Sequence, residues 1–130
     1  MTAMQAVALY SGLNILLLLY LAINVSLHRR RAKVSLGVGT DAGLEQACRA
    51  HGNGTENLPP ALIGLALLGL LGSGTLVIHA LGMALTLGRG LHAYGLLTDP
   101  GRSFGRVAGT ALSWLVLLVS ALLLLGKAIS

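Results

Sequence analysis

The chain has 130 residues, 55% of them apolar and 10% charged, and its mean hydropathy is +0.80. A water-facing domain carries about a quarter charged residues, so a soluble globule is excluded; disorder is excluded too, because unfolded segments are poor in apolar residues. One small membrane domain over 1–130 with several spans remains.

The first apolar run, residues 3–27, contains no charge. No basic residue precedes it and it exceeds the core of a cleaved leader, so it reads as a retained transmembrane helix over 3–28. Arg29, Arg30, Arg31 and Lys33 follow at once, where positive charge fixes membrane orientation. The net charge of +5 is therefore a topology signal. These basic residues form no patch interleaved with aromatics, so nucleic acid is not an expected partner. An uncharged stretch next covers 58–88; its helix would be about 45 Å long, too much for one span. Gly72-Ser73-Gly74 is the place to break it, since glycine supplies turn geometry. The middle helices draw further length from charged flanks and are expected over 44–71 and 75–97. Asp99-Pro100-Gly101 makes the next turn, and the last apolar run gives a helix over 104–127. The expected fold is all-α, a four-span up-and-down bundle. Its first and third loops then lie in the cytoplasm and both termini on the opposite side. Cys48 is the sole cysteine; it forms no intrachain disulfide and reads as a small packing residue.

The chemistry lies in polar residues that this arrangement brings to the membrane. At 100° per residue from Glu45, Arg49 falls at about 40°, Asn53 at about 80° and Glu56 at about 20°. Four polar groups thus share one face of the second helix, with His51 nearly opposite. A Glu45–Arg49 pair at the end of a solvated helix is the plainer account. Against it, the face runs into Leu58-Pro59-Pro60 and an apolar span, where ionisable groups line a cavity or meet a partner. On the third helix, Arg89 and His92 lie about 60° apart in an otherwise uncharged span. Such an arginine requires an anion, either Glu56 or a ligand carboxylate. Tyr94 reads as packing or interface.

The run Arg49-Ala50-His51-Gly52-Asn53-Gly54-Thr55-Glu56-Asn57-Leu58-Pro59 resembles the second-helix signature of the MAPEG family, membrane-associated proteins in eicosanoid and glutathione metabolism. Gly88-Arg89-Gly90-Leu91-His92-Ala93-Tyr94-Gly95 is similar to the family's third-helix motif, and Pro100-Gly101-Arg102-Ser103 to the opening of its fourth helix. The resemblance covers essentially the whole chain and is nearest to short bacterial members, which implies a bacterial inner membrane. It implies a homotrimer binding glutathione between subunits near the cytoplasmic side. It also implies transfer of the glutathione thiol to a lipophilic electrophile, or reduction of a lipid hydroperoxide. By motif position, Arg49, Asn53, Glu56, Arg89 and His92 correspond to residues that hold glutathione. Arg102 matches the arginine credited with stabilising the thiolate, with Ser103 beside it. Three positions depart from the pattern: Ser26 stands where several members have an arginine, Leu96 where eukaryotic members often have a tyrosine, and Arg106 approximately at another tyrosine position near the thiol, which makes Arg106 a further candidate glutathione contact.

The residues agree with such a ligand. Arginines match its carboxylates, Glu56 suits its ammonium, and a cation beside the sulfur favours thiolate. No metal is required. Other readings stay open: a glutathione-binding or structural membrane protein without turnover, a small transporter using the same cluster, or a b-type cytochrome. The last would use His79 and His92, about 20 Å apart on one helix. Gly101, Gly105 and Gly109, spaced by four, are expected to permit close helix contact in the oligomer. The triplets starting at Asn24 and Asn53 read as chance matches to glycosylation acceptors.

Overall fold

The computed structural model describes residues 1–99 and 101–129 as an all-helical chain of four elements: α1 (Ala3–Ala32), α2 (Ala42–Leu70), α3 (Thr75–Thr98) and α4 (Phe104–Ile129). Pro100, in the expected third turn, lies outside the described residues. On its flank, Asp99 Oδ1 accepts a hydrogen bond from Gly101 N at 2.7 Å.

α1 opens with a capping box between Thr2 and Gln5 and ends on Lys33, which adopts the left-handed conformation. It runs beyond the apolar residues because Arg29, Arg30 and Arg31 occupy its last turn, where cations complement the helix dipole. Asp41 caps α2, its side chain accepting from Leu44 N at 2.6 Å. Pro59 and Pro60 sit inside α2; lacking N–H groups, they leave the carbonyls of Thr55 and Glu56 without helical donors. Gly72, with φ of +73°, turns the chain between α2 and α3. Lys127 Nζ then ties the end of α4 to Leu71 O at 2.9 Å.

Helices α1, α3 and α4 are long and apolar enough to cross a membrane. α2 falls short of that composition because its N-terminal half carries the polar face. It nonetheless lies among the other three, packing against each of them, as does α3. α1 and α4 flank this central pair and do not touch each other among the described residues. The main apolar core joins α1 through Val7 and Tyr10, α2 through Leu58 and Leu65, α3 through Leu85 and α4 through Val116. A smaller cluster of Leu21, Ala50, Ala93 and Leu96 closes the opposite end. Large apolar side chains remain exposed along α1 and α4, Leu16, Tyr20, Leu118 and Leu122 among them. Such surface is tolerable only in lipid or under a neighbouring subunit.

Two polar ties cross this apolar interior. Tyr10 Oη and His79 Nδ1 are 2.9 Å apart, with the rings edge to face. Asn14, fully buried, donates both to Tyr10 O and to Thr86 Oγ1 at 2.8 Å. His79 therefore serves the α1–α3 contact.

The α3–α4 contact is backbone against backbone. A Cβ built on Gly109 would lie 2.6 Å from His92 N, and one on Gly95 would lie 2.7 Å from Arg106 N. Gly105 and Gly109 are thus spent inside the chain, against α3, rather than standing ready for another subunit. Gly101 lies against Asp99 in the loop. This seam sets the N-terminal turns of α4 directly on the C-terminal half of α3.

Candidate functional site

The polar face of α2 opens onto a cavity of about 790 Å³ between α2, α3, α4 and the first loop. From α2 come Glu45, Cys48, Arg49, Asn53 and Glu56; His92 and Leu96 come from α3 and Arg106 from α4. The helical spacing explains the α2 contribution, since these residues fall on one side while Leu44, Ala47, Ala50 and Gly54 are buried behind them. Gly54 permits the close approach of α1, because a Cβ there would lie 2.9 Å from Leu18 Cδ2. Asn57 Nδ2 donates to Asn53 O at 2.9 Å, one turn back along the same helix.

A second cavity, about 480 Å³, adjoins the first and shares Asn53, His92 and Arg106 with it. Its remaining wall is Arg102 and, along α4, Val107, Thr110, Ala111 and Trp114. The pair of cavities therefore runs from a charged compartment to one with an apolar wall. His92 stands at their junction. It is 5% exposed, its Nδ1 is buried without a hydrogen-bond partner, and the positive charges of Arg89 and Arg106 both act on it.

The eight residues singled out from sequence fall into three groups. Arg49, Asn53, Glu56, His92 and Arg106 line the larger cavity, and Arg102 lines the adjoining one. Arg89 and Ser103 line neither. Arg89 is 1% exposed, and its Nε and Nη2 are buried without a hydrogen-bond partner. No described carboxylate, Glu56 included, meets those two atoms. Ser103 is committed to the fold: its Oγ donates to Gly95 O at 3.2 Å and accepts from Arg106 N at 3.4 Å. Arg106 Nη1 donates to Gly101 O, folding the loop before α4 around its first turn.

Cys48, which the sequence reading treated as packing, is half-buried and lines the larger cavity. It falls about 60° from Glu45 on the helical wheel, a flank position that the charged residues overshadowed. Arg29 is a second addition. Its Nη1 donates to Gly37 O at 2.7 Å, and its Nη2 approaches Cys48 Sγ at 3.7 Å. One member of the basic cluster thus folds the first loop back so that Val38 forms part of the cavity wall. Trp114 completes the list of omissions; the series Val107, Thr110, Ala111, Trp114 has the spacing of one helical face. Among the described residues no three His, Cys, Asp or Glu side chains converge as a metal site.

Fold and site together define a class: a membrane-embedded helical bundle with a charged cavity at one end that opens toward an apolar compartment. The chain belongs to the MAPEG family, whose model matches residues 7–126. It is 34% identical over 115 residues to "Inner membrane protein YecN" of Escherichia coli (strain K12), a match covering 88% of this chain and 86% of that protein. The same values hold for the YecN protein of Escherichia coli O6:H1.

Proposed function

We propose that this protein binds glutathione in the larger cavity and adds its thiol to a lipophilic electrophile, or uses that thiol to reduce a lipid hydroperoxide. Family membership supports a glutathione-related role in a membrane. The observation that carries the reading is the convergence of Arg49, Glu56 and Arg106 from two helices on the walls of one cavity. Glutathione has two carboxylates, one ammonium and one thiol. Arg49 and Arg106 suit the carboxylates and Glu56 the ammonium.

The sulfur belongs at the junction of the two cavities, where Arg106 reaches from both and Arg102 from the second. A guanidinium beside sulfur favours its ionised form. The thiolate then attacks the electrophilic carbon held against Trp114 and the apolar wall of α4. With a hydroperoxide it attacks the outer oxygen, the O–O bond breaks, and the alcohol leaves. A second glutathione then converts the resulting sulfenate to glutathione disulfide and water.

The polar face of α2, with Arg49 and Glu56 exposed, requires a cover within the membrane, and a cyclic homotrimer supplies one. Inner-membrane residence follows the YecN relative. The basic end of α1 favours a cytoplasmic side for both cavities. Calorimetry with an S-blocked glutathione analogue, followed by thiolate absorbance with glutathione itself, tests the reading. Binding with a thiolate band supports the enzyme, and binding without one supports a non-catalytic glutathione-binding protein. Absence of binding refutes both.

A further inference from the structure

We infer that Arg29 is a positioning residue of the glutathione site. Its guanidinium holds the first loop as a wall of the larger cavity, and so governs how tightly Arg49 can hold a ligand carboxylate. The inference rests on the glutathione reading above and goes beyond it, since neither that reading nor membrane orientation gives Arg29 a part in binding.

By sequence Arg29 belongs to the basic cluster that fixes orientation, yet it stands apart in the structure. Arg30, Arg31 and Lys33 are exposed, whereas Arg29 is half-buried. Its Nη1 donates to Gly37 O at 2.7 Å and to Ser35 O at 3.4 Å, and its Nη2 donates to Cys48 Sγ at 3.7 Å. The backbone joins in, for Val34 N donates to Arg29 O at 3.2 Å. One residue therefore ties the end of α1 to the first loop and to the cavity wall on α2. A charge needed only for orientation would stand in water or among headgroups, as its neighbours do.

The loop is built to depend on that tie. Gly37 and Gly39, with φ of +69° and +56°, flank Val38. These reversals turn Val38 into the cavity wall while Leu36 stays 90% exposed. Val38 and Ala42 share that wall with Glu45 and Arg49. An ordered wall keeps water from a guanidinium–carboxylate contact and strengthens it. It also spares the ligand the cost of ordering the loop. Ser35, Leu36 and Gly37 are exposed, so packing does little to hold them once Arg29 is gone.

The test is calorimetry of the intact protein in mild detergent with S-hexylglutathione, at low and at high salt. Arg29→Lys keeps the charge but loses the planar fork that reaches two carbonyls and a sulfur; Arg30→Lys is the control. Arg29→Lys should weaken binding about tenfold. It should also steepen the salt dependence, because the Arg49 contact is then open to screening. Arg30→Lys should change neither. Val38→Ala trims the wall from its other end and should weaken binding too, yet add little in the double variant, the mark of a shared path. Hydrogen exchange at residues 34–39 should accelerate in Arg29→Lys without ligand. Parent-like affinity or salt dependence in Arg29→Lys, additive losses with Val38→Ala, or unchanged exchange each overturn the inference. Should Arg29→Lys fail to fold, parent-like affinity in Val38→Ala overturns it alone. A parent protein that does not bind the analogue removes the glutathione reading, and this inference with it.

Discussion

Replacing Gly109 with alanine tests the link between helix packing and site. The added Cβ would lie 2.6 Å from His92 N and 2.7 Å from His92 Cβ, with Gly88 O closer still. Ordinary contact begins at 3.4 Å, so relieving the nearest contact, Gly88 O, requires α4 to withdraw from α3 by about 1 Å, and no flexible side chain can absorb the clash because the atoms belong to the α3 backbone and the root of a buried residue. Overpacking of this kind costs about 1–3 kcal/mol. The same withdrawal moves Arg102 and Arg106 away from Asn53 and His92, with which they share the second cavity. A displacement near 1 Å can lower the rate of a positioned reaction about a hundredfold. Gly12 and Gly126 are the controls, for a Cβ at either meets nothing within 4 Å. Alanine there should be neutral or stabilising by about 0.5–1 kcal/mol through helix propensity. Thermal unfolding in detergent and calorimetry with an S-blocked glutathione analogue read both consequences. If Gly109→Ala matches the parent in stability and affinity, α4 does not lie on α3 as described.

Arg102→Ala should leave affinity for the S-blocked analogue within about twofold, yet raise the pKa of the bound glutathione thiol and lower turnover. Lost analogue affinity with an unmoved thiol pKa would make Arg102 a clamp and leave Arg106 as the cation nearest sulfur. A reporter fused after the C-terminus should register the non-cytoplasmic side, and neutralising Arg29, Arg30, Arg31 and Lys33 together should scramble that orientation. Native mass spectrometry in mild detergent should give a trimer, and a spectrum containing only monomers would refute the assembly.

The bundle was legible because membrane helices announce themselves in runs of apolar residues, and the turn glycine at Gly72 interrupts the one run too long for a single span. The extension of α1 was not, because hydropathy ends at the first arginine whereas the helix ends where its dipole and cap are satisfied, at Lys33. Spacing on one helix likewise gave the α2 wall of the cavity, since Glu45, Arg49, Asn53 and Glu56 need only α2 to be helical. It could not rank Arg89 against His92. They are about 60° apart, and which of them reaches the cavities depends on where α4 lies, a matter fixed by glycines on two different helices. Once Gly88 and Gly95 bring α4 against α3, His92 stands at the junction of the cavities and Arg89 is sealed behind it. Cys48 was passed over for a related reason: its neighbour across space, Arg29, lies on another helix and was explained by membrane orientation alone.

The depth of the α2 face bears on the proposed assembly. Gly54 packs on Leu18, and Leu18 lies near the middle of α1, which runs from Ala3 to Ala32. Glu56, two residues beyond Gly54, is therefore close to the mid-plane of the span that α1 defines, and Arg49 is about 10 Å nearer the basic end. Both are exposed on the isolated chain. A charged side chain at the centre of a bilayer costs about 2.5–3.5 kcal/mol on insertion scales, comparable to a large fraction of what one helix gains by packing. Lipid cannot be the natural neighbour of this face. Ligand alone covers the cavity but not the apolar residues Ile63, Leu67 and Leu70, which continue α2 beyond Pro60 and are also exposed. A neighbouring subunit of the proposed trimer would cover both parts at once, an apolar helix against the lower half of α2 and its edge over the cavity above. In the proposed trimer the cost of the buried charges is thus offset at the same contact that forms the binding site, so assembly and glutathione binding should stabilise each other.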